Sequence, residues 1–207
     1  MTSRTHHNLA DIIELIGGGT PKTNIQEYWD GDIPWLSVKD FNEDSRYVYF
    51  TEKSITKAGL DNSSTKILDR DDIIISARGT VGALAMIPHP MAFNQSCYGI
   101  RGKKDTIIQT YLYYLLKDSI HMIKRQTHGS VFDTITRDTF SKIEVSLPTI
   151  KEQQVIAGIL TALDDKIALN SEINHHLTES RLATDSSPDI RRGKRESRKA
   201  LRLQLSE

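Results

Sequence analysis

The sequence predicts an α/β chain of the α+β type, in which a mixed-sheet domain over residues 1–148 precedes a long C-terminal helix over residues 149–180. Three observations lead to this prediction. Short apolar runs broken by glycine and proline are typical of strands joined by tight turns. Apolar residues recur every three or four positions from Thr106 to Gln126, which indicates an amphipathic helix. A seven-residue apolar repeat after Ile150 indicates a coiled-coil seam.

Length and composition limit the classes of protein that the chain can be. With 207 residues, of which 38% are hydrophobic, it can hold one moderate domain and an extension. No run of eighteen apolar residues exists, and residues 1–8 lack the features of a secretory signal, so we expect a cytoplasmic protein without a membrane segment. The single cysteine, Cys97, cannot form an internal disulfide, and we expect it in the core.

The first 148 residues predict one short helix and several strands before the amphipathic helix. Residues 9–16 predict the short helix, because apolar residues at helical spacing follow a possible Asn8 cap. Alternation over residues 32–40 predicts a strand, with Pro34 at a sheet edge or at the strand start. Further strands are predicted within 68–76, 83–87, 91–100 and 143–147.

The C-terminal helix carries a seam whose members are spaced alternately four and three residues apart, as in a coiled coil. A helix over residues 150–180 would be about 45 Å long, and we expect about half of it to project and meet a partner. Two asparagines in the seam would restrict register at some cost in stability. A helix folded onto its own domain is the alternative, and residues 181–207 have the composition of a disordered tail. The seam residues are Ile156, Leu160, Leu163, Ile167, Asn170, Asn174 and Leu177.

No motif in the sequence predicts a catalytic residue, a metal site or a cofactor of its own. The stretch Gly17–Thr23 resembles part of a phosphate-binding loop but lacks the required spacing. His175 and His176 are adjacent and would point about 100° apart on a helix, which makes a poor metal pair. The acidic pairs Asp71–Asp72 and Asp164–Asp165 occur where a turn or a helix surface accommodates charge.

The distribution of charge permits DNA binding although the net charge is zero. Residues 78–142 carry nine basic and four acidic residues, and turns in this block contain groups that can contact DNA. The amides of Asn94 and Gln95 can pair with adenine, while arginine and lysine can pair with guanine or phosphate. Each residue alone has a structural explanation, because amides and glycines are common in turns. The candidate DNA-binding residues are Thr20, Lys22, Lys39, Arg78, Thr80, Asn94, Gln95, Lys124, Arg125, His128, Ser130 and Arg137.

Short motifs follow one another between about Leu9 and Leu177, namely Gly18–Lys22, Ile33–Leu36, Ser76–Gly82, Phe93–Ser96, His128–Ser130, and Leu147–Pro148 followed by Glu152–Gln153 and the apolar helix. This ordered series resembles the specificity (S) subunit of type I restriction-modification enzymes. Any one of these short motifs is a weak indicator of the family by itself, whereas their order along the chain makes the resemblance specific.

The resemblance implies a target-recognition domain that reads one part of a two-part site in double-stranded DNA, followed by a helix that spaces it from a second such domain. Methyltransferase (M) and restriction (R) subunits would be its partners, and S-adenosylmethionine, ATP and Mg would bind only to them. Members of the family usually carry two domain-plus-helix repeats, whereas this chain has one. We therefore expect a half-subunit that forms a homodimer through an antiparallel coiled coil.

Such a homodimer would favour an interrupted palindrome, with half-site centres on the order of 40 to 50 Å apart. The alternatives are a recognition fragment of a nuclease or methyltransferase with its own activity, an inactive truncated S subunit, and an interaction protein that never touches DNA.

Overall fold

The structure is a computed structural model that describes residues 4–41, 45–126 and 134–185. The chain divides into two compact units, residues 1–161 and residues 162–207. The first unit contains strands and helices together, and the last element of the described residues is a long helix. The predicted α+β class with a long C-terminal helix is therefore confirmed. The predicted domain boundary at residue 148 stays a prediction.

The described elements, numbered in chain order, are ten strands and five α-helices, of which two are long. They are β1 Thr5–Asn8, α1 Leu9–Ile12, β2 Ile13–Gly17, β3 Trp29–Leu36, β4 Lys53–Ile55, α2 Lys57–Asp61, β5 Ile67–Leu68, β6 Ile73–Ser76, β7 Leu84–Met86, β8 Met91–Phe93, β9 Cys97–Gly102, α3 Gln109–Gln126, α4 Arg137–Ser141, β10 Glu144–Leu147 and α5 Ile150–Asp185.

Within the described ranges these strands form three sheets. One sheet has the order β2-β9-β6-β7 and is antiparallel throughout. Another has the order β4-β3-β8-β5 and is mixed, because β3 and β8 run parallel. The third sheet pairs β1 with β10, which joins the first and last strands of the unit. The mixed sheet that the sequence predicted is present.

Strand β6 lies at the centre of the core. Ile73 and Ile75 pack into a cluster with residues of α1 and α3, whereas Ile74 packs into a second cluster with Leu36 and Phe93. All three isoleucines have no solvent exposure. A strand buried on both faces reads as a continuous apolar run, which is why the sequence predicted it correctly. The predicted return strand is β7, which pairs antiparallel with β6.

The helix predicted over residues 9–16 is wrong beyond Ile12. Residues from Ile13 to Gly17 form β2, which pairs with β9 over its whole length. Asn8 precedes the helix but makes no capping hydrogen bond through its side chain. Five paired residues outweigh the weak helical preference of so short a segment.

The strand predicted within residues 91–100 is two strands that belong to different sheets. β8 ends at Phe93 and β9 begins at Cys97, and the turn between them is closed by a hydrogen bond from Cys97 N to Asn94 O of 3.2 Å. Pro34 lies inside β3, which has a neighbouring strand on each side, so the prediction that it marks a sheet edge or the strand start is also wrong. The pairing with β8 involves Trp35 and Leu36 only, which follow the proline.

Helix α5 begins with a capping box that fixes its first turn. The backbone N–H of Thr149 donates to Glu152 Oε2 at 3.0 Å, and Glu152 N donates to Thr149 Oγ1 at 3.4 Å. The helix continues to Asp185, so the prediction that it ends at residue 180 is wrong by five residues. Residues 186–207 of the predicted tail lie outside the described residues. In the described part of the chain, no helix is long and apolar enough to cross a membrane.

Candidate nucleic-acid interface

A cleft of about 340 Å³ opens at the surface of the first unit, and we call it the recognition cleft. Three of its lining side chains, Lys39, Lys53 and Arg78, are positively charged, and one, Glu52, is negatively charged. This excess of positive charge favours an anionic ligand. The other lining residues are Trp35, Ser37, Val38, Gly79, Asn94 and Ser96.

Arg78 lies in a tight turn between β6 and β7. Gly79 and Gly82 both have a φ of 78°, a left-handed conformation that glycine adopts without strain. Gly82 N donates to Ser76 O at 2.9 Å, and Ala83 N donates to Ser76 Oγ at 2.8 Å, so the turn is closed on both sides. Arg78 and Thr80 are exposed on this closed turn.

The turn Asn94–Ser96 lies directly beside the Arg78 turn. Ala77 N donates to Ser96 O at 2.7 Å, and Asn94 N donates to Leu36 O at 2.9 Å. The side-chain oxygen of Asn94 accepts from Ser96 N at 3.0 Å, so part of its hydrogen-bonding capacity closes the turn. The two turns are therefore joined through backbone atoms.

The loop Gly17–Lys22 packs onto the same turn. Gly19 N donates to Phe93 O at 2.9 Å, and a Cβ atom on Gly18 would overlap the carbonyl of Asn94. The hydroxyl of Thr20 donates to the side-chain oxygen of Gln95. Two of the residues predicted from sequence to bind DNA, 75 positions apart, are thus brought into contact.

Trp29 and Trp35 hold the loop Gly17–Lys22 in place, a role that the sequence did not predict. The indole N–H of Trp35 donates to Gly19 O at 3.0 Å, and that of Trp29 donates to Lys22 O at 3.2 Å. Their rings meet edge to face with centroids 5.2 Å apart. Lys53, also missed, has its Nζ atom 5.6 Å from the centroid of the Trp29 ring. An indole donor near a glycine-rich loop is the signal that could have identified them.

Lys39 is exposed on a short 3-10 turn, Val38–Asp40, at the rim of the cleft. Ser37 N donates to Asp40 Oδ2 at 2.7 Å, and Glu52 N donates to Asp40 Oδ1 at 2.8 Å. Both oxygens of this carboxylate therefore accept backbone hydrogen bonds, which position the turn that carries the lysine.

The remaining predicted residues lie beside the cleft or outside the described residues. Ile135 N donates to Ala77 O at 2.9 Å, which places the segment before α4 against the Arg78 turn. Arg137 itself donates to Leu15 O at 3.4 Å. His128 and Ser130 lie outside the described residues, and so do the side chains of Lys124 and Arg125.

Cys97 and the acidic pair Asp71–Asp72 have structural roles. Cys97 is buried, and its burial raises the pKa of the thiol to about 12. Arg101 donates to Asp72 at 2.8 Å through Nε and to Asp69 at 2.7 Å through Nη2, while Tyr47 donates to Asp71 at 3.0 Å. Over the described ranges, no group of three or more His, Cys, Asp or Glu residues could hold a metal ion.

Helix α5 presents a second surface of large apolar side chains, which we call the apolar stripe. Ile156 and Leu160 are half-buried, whereas Leu163, Ile167 and Leu177 are 54%, 61% and 60% exposed. Asn170 and Asn174 are exposed as well. The stripe is wider than the predicted seam, because it also includes Val155, Ile159, Leu169 and Ile173.

Comparison with known proteins supplies the family. Residues 5–179 match the family described as Type I restriction modification DNA specificity domain. The chain belongs to this family. The loop Gly17–Lys22, both turns of the recognition cleft and the apolar stripe all lie within the residues that match.

Individual members of the specificity family support the assignment. The MjaIX specificity subunit of Methanocaldococcus jannaschii is 35% identical over 172 residues, which are 82% of this chain and 40% of that protein. A type I restriction enzyme specificity subunit of Escherichia coli is 32% identical over 167 residues, covering 75% of this chain and 40% of its own length. The chain thus spans about 40% of the length of these relatives.

The fold is also that of solved structures in the family. The HsdS subunit from Thermoanaerobacter tengcongensis superimposes with a TM-score of 0.60 at 17% identity, over 80% of this chain and 38% of that one. The Type-I restriction-modification system S subunit from M. genitalium superimposes with a TM-score of 0.59 at 16% identity, over 87% and 44%.

Proposed function

We propose that this chain reads one part of a bipartite DNA site as the recognition module of a type I restriction-modification specificity subunit. The observation that carries the proposal is the recognition cleft, where Lys39, Lys53 and Arg78 converge on turns that hydrogen bonds hold in place. Such cations neutralise phosphates and position a duplex. The amides of Asn94 and Gln95 supply groups that can read base edges.

Rigid turns suit this function because they reduce the entropy lost on binding. The loop Gly17–Lys22, the Arg78 turn and the turn Asn94–Ser96 are held to one another, or to β3, by backbone and indole hydrogen bonds. Residues Thr20, Lys22, Thr80 and Arg137 lie on these segments or next to them, and we propose that they contribute further DNA contacts.

The chemistry of modification and cleavage belongs, in this proposal, to partner subunits. The chain would bind M and R subunits, and S-adenosylmethionine, ATP and Mg would bind to those subunits and not to this chain. Family membership supports a non-catalytic role. We place this function in the cytoplasm, because a DNA reader must share a compartment with DNA.

The first experiment is a selection from a random DNA library at moderate salt, using the purified chain with its methyltransferase partner. We expect enrichment of one half-site sequence, and affinity that falls steeply as salt rises. Lys39→Glu with Arg78→Glu should abolish the enrichment. Lys104→Glu is the matched control, because it follows the far end of β9, about 17 Å along the strand from the end that pairs with Ser76. Absence of any enriched sequence with the wild-type chain would refute the proposal.

A second assay separates a reader from an enzyme. The chain alone is incubated with DNA, magnesium and S-adenosylmethionine, and we expect neither methylation nor cleavage. Turnover by the isolated chain would favour the alternative of a nuclease or methyltransferase fragment.

For the apolar stripe we propose a second copy of this chain as the occupant, paired antiparallel as a homodimer. The support is the exposure of Leu163, Ile167 and Leu177, since large apolar side chains in a helical repeat are stabilised when a partner helix covers them. The two recognition domains would then read half-sites whose centres lie on the order of 40 to 50 Å apart.

The pairing is tested by the mass of the protein in solution. Leu163→Asp with Ile167→Asp should give a monomer, because each change would bury an unpaired carboxylate in the interface. Ala168→Asp is the control, since it adds the same charge about 100° round the helix from Ile167. If the wild-type chain is a monomer by itself but binds M subunits, the apolar stripe would be assigned to contact with the M subunit instead.

A further inference from the structure

One exposed aromatic pair lies outside the contacts assigned above. Phe50 is 87% exposed and Tyr49 is 54% exposed. Among the residues before α5 whose side-chain exposure the structure describes, they are the only large hydrophobic side chains that are exposed. Both lie in the segment between Tyr47 and β4, and we call Tyr49 and Phe50 the aromatic tip.

The aromatic tip projects from a segment that is held on both sides. On the N-terminal side, Val48 is 3% exposed and donates its N–H to Met86 O at 3.2 Å. On the C-terminal side, Glu52 N donates to Asp40 Oδ1 at 2.8 Å. The backbone around Phe50 is thus ordered before any ligand arrives, so contact with its ring costs little further conformational entropy.

The tip also lies next to the recognition cleft. Glu52 and Lys53 line the cleft, and Phe50 precedes Glu52 by two residues, so their Cα atoms are at most about 7 Å apart. The positive charge of Lys39, Lys53 and Arg78 would draw the phosphates of a duplex to this place. An apolar ring beside those cations would then lie within reach of the bases.

We propose that Phe50 packs against the apolar surface of a base in the bound duplex and sets the base preference at that position. A benzyl side chain offers neither charge nor hydrogen bonds, so its favourable partners on DNA are the face of a base or the methyl group of thymine. This inference rests on the proposed function, and it adds a specificity-determining contact that the polar candidates do not provide.

The test compares Phe50→Ala and Phe50→Tyr with the wild-type chain, each assembled with the methyltransferase partner. A random-library selection gives the base preference of each, and titration of the wild-type's enriched duplex over a range of salt gives affinity. We expect Phe50→Ala to bind that duplex about 10-fold more weakly, as when a base loses an aromatic stacking partner. This variant should also lose its base preference at one position or at two adjacent positions of the site. The salt dependence of its affinity should not change, because no cation is removed.

Phe50→Tyr keeps the ring and should keep the wild-type preference. Lys104→Ala, at the far end of β9 from the cleft, should do so too. A Phe50→Ala profile and affinity equal to those of the wild-type chain would overturn the inference. So would a uniform loss of affinity for all sequences together with a lower melting temperature, which would indicate a structural role.

Two further results distinguish a failure of this inference from a failure of the proposed function. Loss of the methyltransferase from Phe50→Ala, with base preference retained, would assign the aromatic tip to a protein partner and overturn the inference alone. Failure of the wild-type chain to enrich any sequence would refute the proposed function, and this inference with it.

Discussion

Gln153 and Gln154 are adjacent glutamines at the start of α5, yet the structure predicts very different effects of removing them. Gln153 is 1% exposed, and its side-chain oxygen accepts from Ile108 N at 2.9 Å. Its amide group donates to Thr106 O at 3.3 Å and to Pro148 O at 3.1 Å. Gln154 is exposed. One buried side chain therefore hydrogen bonds to three backbone groups on two segments of the first unit.

The size of the effect follows from those three bonds. Gln153→Ala leaves the half-buried N–H of Ile108 without its acceptor and the carbonyls of Thr106 and Pro148 without their donor, at a cost on the order of 1 kcal/mol for each. We expect a loss of about 3 kcal/mol in the free energy of unfolding, or a fall of about 6 to 12 °C in melting temperature. Gln154→Ala should change stability by less than about 0.5 kcal/mol.

The assay is thermal and urea denaturation followed by circular dichroism at 222 nm. Gln153→Leu separates the loss of hydrogen bonds from the loss of packing, because leucine nearly fills the volume of the glutamine side chain but makes no hydrogen bond. We expect it to remain about 2 kcal/mol less stable than the wild-type chain. If Gln153→Leu matched the wild type, or if the two alanine variants were equally stable, the reasoning from buried hydrogen bonds would be refuted.

Three shorter predictions concern the recognition cleft, the acidic pair Asp71–Asp72 and Cys97. Gly18→Ala should weaken binding to the selected duplex about 10-fold, because its Cβ would overlap the backbone of the neighbouring turn, whereas Gly17→Ala, with open space around it, should bind normally. Arg101→Ala should lower the free energy of unfolding by about 2 kcal/mol, because the nearly buried Asp72 loses its cation; an unchanged urea midpoint would contradict this. Cys97 should react with a thiol reagent at pH 8 about 100-fold more slowly in the native than in the unfolded chain, since burial raises its pKa to about 12; equal rates would show that the thiol is accessible.

The elements that the sequence predicted well are those whose pattern reflects burial. The three consecutive isoleucines predicted β6, and the periodic apolar residues of α3 predicted that helix. Both patterns can be recognised in the sequence because they follow from the faces that each element buries. The boundary between α1 and β2 could not be predicted in this way. Ile13 is apolar at helical spacing, and only pairing with Gly102, 89 positions later, makes it a strand residue.

The candidate site was predicted in its composition but not in its geometry. Lys39, Arg78 and Asn94 were chosen for their chemistry, and the fold places all three around one cleft. The contacts of Lys53 and Trp29 depend on the pairing of β3 with β4, which no local pattern shows. Long-range pairing therefore decides which of many polar turn residues meet, and a single sequence does not reveal it.

The construction of the recognition cleft has a consequence for how DNA specificity can change. The Arg78 turn and the turn Asn94–Ser96 are joined by Ala77 N donating to Ser96 O, and Gly19 N donates to Phe93 O, so these junctions use backbone atoms that every residue except proline provides. Exposed side chains on the turns, such as Arg78 and Gln95, contribute little to the core that β6 organises. Substitution there should alter the surface offered to bases while leaving the sheets intact. Backbone and core atoms stabilise the fold, whereas the exposed side chains would make the contacts with DNA.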